Sequence, residues 1–107
     1  MNKTILIVDD EKNTRDGLRT SLEDDFVIYV AAEDEEAQSI IESKQVDLLL
    51  TDLRLGADSG MDLLQWALGQ AHPPICIIMT AYGTVDTAVE AMRYGAYDFV
   101  TKPVNID

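Results

Sequence analysis

Several things are scarce in this chain, and each scarcity narrows what it can do. There is one cysteine, Cys76, which excludes an internal disulfide and fits a reducing compartment. It lies within "ICIIMT" (75–80), the setting of a small core residue rather than a reactive thiol. Eight lysines and arginines stand against twenty acids, giving a formal charge of −12. The basic residues are scattered, and phosphate contacts need them clustered, so direct nucleic-acid binding is excluded. No apolar run approaches membrane-spanning length, and no membrane contact is expected. The opening Met1-Asn2-Lys3 runs straight into a strand-like segment without a signal-peptide layout, so a cytoplasmic location is expected. The one histidine, His72, sits in "AHPP", a loop, and the one tryptophan, Trp66, lies on a helix face beside Leu63 and Ala67, as packing. No repeat, linker or low-complexity segment breaks the 107 residues, a length that fits one domain.

What is present is an alternation. Apolar runs of strand length occur at "TILIV" (4–8), "FVIYVA" (26–31), "VDLLLT" (46–51), "ICIIMT" (75–80) and "YDFVT" (97–101). Most are continuous rather than alternating, as expected for strands covered on both faces. Between them, apolar residues recur at helical spacing over 13–24, 34–44, 60–70 and 84–94. The "EDEE" run (33–36) suits a helix start, where acids complement the macrodipole. Thr84 is placed as an N-cap and Gly95 as the C′ residue of the fourth helix. The order βαβαβαβαβ predicts an α/β fold, a doubly wound five-stranded parallel sheet with right-handed crossovers. No helical pattern follows the fifth strand, so the expected fold lacks its last helix.

"ILIVDDE" (5–11) sets a physical problem, because three acids follow a buried run. Each adjacent pair at about 5 Å repels by roughly 3 kcal/mol at an effective dielectric near 20. The other strand ends answer it. Strand 1 is followed by Asp9 and Asp10, strand 3 by Asp52; strand 4 ends in Thr80, strand 5 in Lys102 before Pro103. Ligands of open parallel sheets bind at the carboxyl ends of strands, where strand order reverses. An order of 2-1-3-4-5 puts that reversal between strands 1 and 3 and gathers all five residues at one rim. Three carboxylates and one ammonium leave a double negative charge, which hard oxygen ligands would offer to Mg²⁺. A carboxylate, a metal, a hydroxyl and a lysine together form a set of groups for phosphoryl transfer. Taken singly, each has a plainer role: an aspartate as N-cap, a turn threonine, a solvated lysine.

At this point the chain resembles the receiver domains of two-component response regulators, over nearly its whole length. The matching pieces are "VDDE" (8–11), "LLLTDLRL" (48–55), "SGMDLL" (59–64), "IIMTAYG" (77–83), "GAYDF" (95–99) and "TKP" (101–103). The resemblance implies the flavodoxin-like order 2-1-3-4-5 and a single receiver domain over 1–107 without its C-terminal helix. It implies that Asp52 accepts a phosphoryl group from the phosphohistidine of a sensor histidine kinase. Asp10, Asp52 and the Arg54 backbone carbonyl would ligate Mg²⁺, with Asp9 acting through a metal-bound water. Thr80 and Lys102 would contact phosphoryl oxygens. Phe99 takes the switch-aromatic position, Tyr82 and Arg54 flank the entry, and Lys102-Pro103 is expected to be cis. The stretch "TAYGTVDTAVEAMRYGAYDFVTKP" looks most like receivers of ATPase-type activators that work with an alternative sigma factor, with an output domain beyond residue 107.

Two features depart from the family pattern. Gly56 stands where a proline is usual, and the missing helix should expose apolar surface opposite the second to fourth helices, inviting a homodimer or exchange of elements. Other functions fit less well. An aspartyl-phosphate hydrolase generally carries a second acid two residues beyond its nucleophile, where this chain has Arg54, so the chain is expected to be a phosphoacceptor rather than an enzyme. A flavin carrier needs a phosphate-cradling first loop, which three acids exclude. A receiver-like interaction module that is never phosphorylated would normally have lost part of the constellation.

Overall fold

The computed structural model describes residues 2–55, 58–80, 85–102 and 104. Tyr82, Thr84, Gly56 and Pro103 lie outside the described residues. Five strands form one parallel sheet: β1 (Thr4–Val8), β2 (Val27–Ala31), β3 (Leu48–Asp52), β4 (Ile75–Thr80) and β5 (Asp98–Thr101). Their order is β2-β1-β3-β4-β5, as expected. Helices α1 (Lys12–Leu22), α2 (Asp34–Ser43), α3 (Gly60–Leu68) and α4 (Val85–Arg93) alternate with them.

The continuous apolar runs are explained by two cores. Leu6 and Val8 of β1 pack with Ala37 of α2, Leu63 and Leu64 of α3 and Ala91 of α4. Ile5 and Ile7 point the other way, toward Leu18 and Leu22 of α1. A strand covered on both faces reads as a near-continuous apolar run. Each fully buried leucine or isoleucine here contributes about 1.5–3 kcal/mol. Cys76 sits inside the first core, and burial pushes its thiol up to about 11.

Element ends follow local chemistry. Asp34, Glu35 and Glu36 fill the first turn of α2, where their charge favours the helix start. Gly95 follows α4 at φ 116°, the left-handed conformation in which a side chain is strained. A short antiparallel ribbon pairs Arg54 with Ser59 and Leu55 with Asp58. Ser59 caps α3, its hydroxyl accepting from the Met61 N–H at 3.2 Å.

The apolar exposure expected opposite α2–α4 is greatest, among the described residues, at the start of β4. Ile75, at the start of β4, is 51% exposed. Further along that face Ile77 and Val100 are half-buried and Met79 is buried. Val104 packs against the same cluster from beyond β5.

Candidate functional site

Parallel register builds the site. Val8 pairs with Thr51, so Asp9, the next residue, stands level with Asp52 at the end of β3. Asp52 pairs with Met79, which puts Thr80 one step beyond, and Thr80 pairs with Thr101, which puts Lys102 one step beyond that. The Lys102 N–H donates to the Thr80 carbonyl at 2.8 Å and ties the two strand ends. Four strands therefore deliver Asp9, Asp10, Asp52, Thr80 and Lys102 to one rim.

One carboxylate oxygen from each of Asp9, Asp10 and Asp52 lies within 4.8 Å of the other two. Asp9 is fully buried, Asp52 nearly so, and Asp10 faces solvent. Lys102 bridges the buried pair: its Nζ donates to Asp52 Oδ2 at 2.5 Å and stands 2.6 Å from Asp9 Oδ2, a charge contact. Burial pushes the Asp9 carboxyl above its usual range, against the opposing pull of Lys102 and the Glu11 N–H. Burial alone would lower the Lys102 pKa, but its close contacts with Asp52 and Asp9 and their charges outweigh it and leave the ammonium above its usual value.

The plainer role for the acids does not hold. The N-cap of α1 is Glu11, not Asp9 or Asp10, and the Glu11 side chain makes no capping hydrogen bond. It accepts from the Thr14 hydroxyl at 2.8 Å instead. Asp9 Oδ1 accepts the Glu11 N–H at 2.9 Å, which fixes the start of the loop.

The hydroxyl of Thr80 is buried and has no hydrogen-bond partner among the described residues. Burying a hydroxyl unpaired costs about 1–3 kcal/mol in proteins. Thr80→Val, similar in shape and well suited to a strand, is therefore expected to raise stability by about 1 kcal/mol, read as a higher urea midpoint. A lower midpoint would show that the hydroxyl is satisfied.

Phe99, in β5, is half-buried and packs against the core beneath α2–α4. Arg54 lies in the short ribbon directly after β3. Two contributors went unread in the sequence. Arg15 Nη1 donates to the Asp9 carbonyl at 2.7 Å, a contact signalled only by a basic residue in the first turns of α1. Gly60 lies against the backbone of Asp52 and Leu53, and its N–H donates to the Leu53 carbonyl at 2.9 Å.

A family model for the response regulator receiver domain matches residues 5–107. The chain belongs to that family. This receiver is 43% identical over 104 residues to the response regulator protein PilR of Pseudomonas aeruginosa, covering 94% of the chain and 23% of PilR. It is 39% identical over 104 residues to the alginate biosynthesis transcriptional regulatory protein AlgB of the same organism, covering 96% of the chain and 23% of AlgB. The receiver thus spans about a quarter of the length of these relatives. Among solved structures, it aligns at 28% identity and TM-score 0.89 with a Burkholderia pseudomallei response regulator carrying a phosphorylated aspartic acid, a calcium ion and citrate, covering 97% of the receiver and 62% of that chain. No helix among the described residues is long and apolar enough to cross a membrane.

Proposed function

We propose that this receiver is a phosphorylation-controlled switch whose acceptor is Asp52, loaded from the phosphohistidine of a sensor histidine kinase in a Mg²⁺-dependent reaction. The observation that carries the reading is the rim itself: three clustered carboxylates, two of them bridged by Lys102, beside a buried Thr80 hydroxyl without a partner among the described residues. The donor set fits a hard divalent cation, being all oxygen, rich in negative charge and open to solvent through Asp10. Asp9, Asp10, Asp52 and the Arg54 backbone carbonyl would hold it. Bound there, the cation would neutralise carboxylate and phosphoryl oxygens.

A carboxylate oxygen of Asp52 attacks phosphorus, the bond from phosphorus to the histidine nitrogen breaks, and the electron pair leaves with the imidazole. Lys102 turns its ammonium toward the new phosphoryl oxygens. The Thr80 hydroxyl donates to one of them and gains the partner it lacks among the described residues. Because Thr80 and Lys102 are joined through the backbone, motion at the end of β4 reaches β5 and Phe99. The equilibrium between two states of the α4–β5 surface then shifts. Val89, Met92, Tyr94 and Tyr97 are exposed there, and we assign them to contact with an output domain or a second copy.

The phosphorylated aspartic acid and bound cation of the Burkholderia structure support the acceptor and metal roles. The name of AlgB supports a transcriptional output; we place that output in a domain beyond residue 107 and the protein in the cytoplasm. Arg54, in place of a second acid, supports a phosphoacceptor that takes part in its own phosphorylation and dephosphorylation rather than a hydrolase. Incubation with acetyl phosphate is expected to add one phosphoryl mass with Mg²⁺ and almost none with EDTA, read by intact mass spectrometry. No adduct on folded, Mg²⁺-supplied protein would sink the proposal.

A further inference from the structure

We infer that Arg15 is a positioning residue for the metal site, acting through the Asp9 carbonyl rather than through its charge. The inference rests on the metal reading above and goes beyond it, because Arg15 is no ligand.

Asp9 is one residue past the last ladder pairs of β1, Val8 with Ala31 and Val8 with Thr51. Its N–H still reaches the Ala31 carbonyl at 3.1 Å on the β2 side. Its own carbonyl lies beyond the last ladder pairs of the strand. Arg15 supplies a donor there, Nη1 at 2.7 Å. Side chains on a helix lean toward its N-terminus, so an arginine in the first turns of α1 reaches back to the strand end. Its backbone is held as well, the Arg15 N–H donating to the Glu11 carbonyl at 3.2 Å.

The Asp9 carbonyl belongs to the peptide plane that carries Asp10. With Asp9 fixed at its N–H, its carboxylate and its carbonyl, that plane has little freedom. The orientation of the plane decides where the Asp10 carboxylate points. Asp10 is the exposed member of the triad and has no burial to hold it. Its aim toward Asp9 and Asp52 therefore depends on the backbone beneath it.

The sign of the effect separates this role from the alternatives. A cation near a cation site repels the metal, so removing Arg15 for its charge alone would tighten Mg²⁺ binding. Losing the bond that aims Asp10 weakens it, and loss of a group that orients a ligand typically costs 10–100-fold in affinity.

The experiment is a calorimetric titration of Mg²⁺ into the parent, Arg15→Met, Asp10→Asn and the control Arg19→Met, whose side chain pairs only loosely with Glu23 at 3.7 Å. Arg15→Met is expected to weaken Mg²⁺ binding about tenfold, with Arg19→Met unchanged. Unchanged or tighter binding by folded Arg15→Met overturns the inference. Should that variant be unfolded by circular dichroism, Arg15→Gln, too short for the span, decides on the same terms. A parent that takes up no Mg²⁺ overturns the metal reading and the inference with it, whereas failure of the Arg15 variants alone leaves the metal reading standing.

Discussion

Asp52→Asn is expected to carry no phosphoryl adduct after acetyl phosphate and Mg²⁺, under conditions that label the parent. The amide oxygen is a far poorer nucleophile than a carboxylate, so the loss should be complete rather than graded. The variant should also remain folded. Removing the Asp52 charge weakens a charge-assisted bond from Lys102, worth about 1.5–3 kcal/mol. It also relieves repulsion with Asp9, which works in the opposite direction. The two oppose each other, and a urea midpoint close to the parent's is expected, within about 1 kcal/mol. Intact mass and denaturation measured on the same sample therefore separate chemistry from folding. An adduct on Asp52→Asn equal to the parent's would remove Asp52 from the acceptor role.

Gly60→Ala should be the most damaging small change in the molecule. A Cβ there would lie 2.0 Å from the Asp52 carbonyl oxygen and 2.7 Å from the Leu53 Cα. Both are backbone atoms, so no side-chain rotation relieves the contact. The start of α3 must move off β3, or the acceptor strand end must shift. A loss of about 3 kcal/mol or more is expected, and any folded remainder should bind Mg²⁺ poorly because Asp52 is displaced. Gly17→Ala provides the contrast. It lies inside α1, and a Cβ added there would meet nothing within 4 Å. At that position the helix propensity of alanine should win and add about 0.5–1 kcal/mol. Opposite signs for one chemical change, read from urea midpoints, test the packing argument. Equal effects would refute it.

The site was legible where its residues sit on strand ends. Continuous apolar runs located five strands to within two residues at each end, and the residues at their carboxyl ends were Asp9, Asp10, Asp52, Thr80 and Lys102. The sheet order came with the family resemblance, since apolar patterning says nothing about which strand neighbours which. Asp9 and Asp10 are adjacent and chemically identical, and only the pleat buries one and exposes the other. Arg15 was not legible because its role is a side chain reaching back across a helix turn to a carbonyl, and carbonyls leave no trace in sequence. Gly60 lies within the "SGMDLL" motif, but its reason is the close approach of the start of α3 to the backbone of Asp52 and Leu53, which the motif does not reveal. The apolar face opposite α2–α4 is open at Ile75 and half-covered at Ile77 and Val100, and Val104, past the fifth strand, packs against that cluster.

Cys76 has a practical consequence. It is the chain's sole thiol, and it lies 1% exposed near the start of β4, beside Leu49 of β3, at the end of the sheet away from the rim. A thiol-specific reagent reaches it only when that part of the sheet parts, so its labelling rate reports the frequency of such openings. The molecule thus carries its own stopwatch for breathing at the end of the sheet opposite the carboxylate rim.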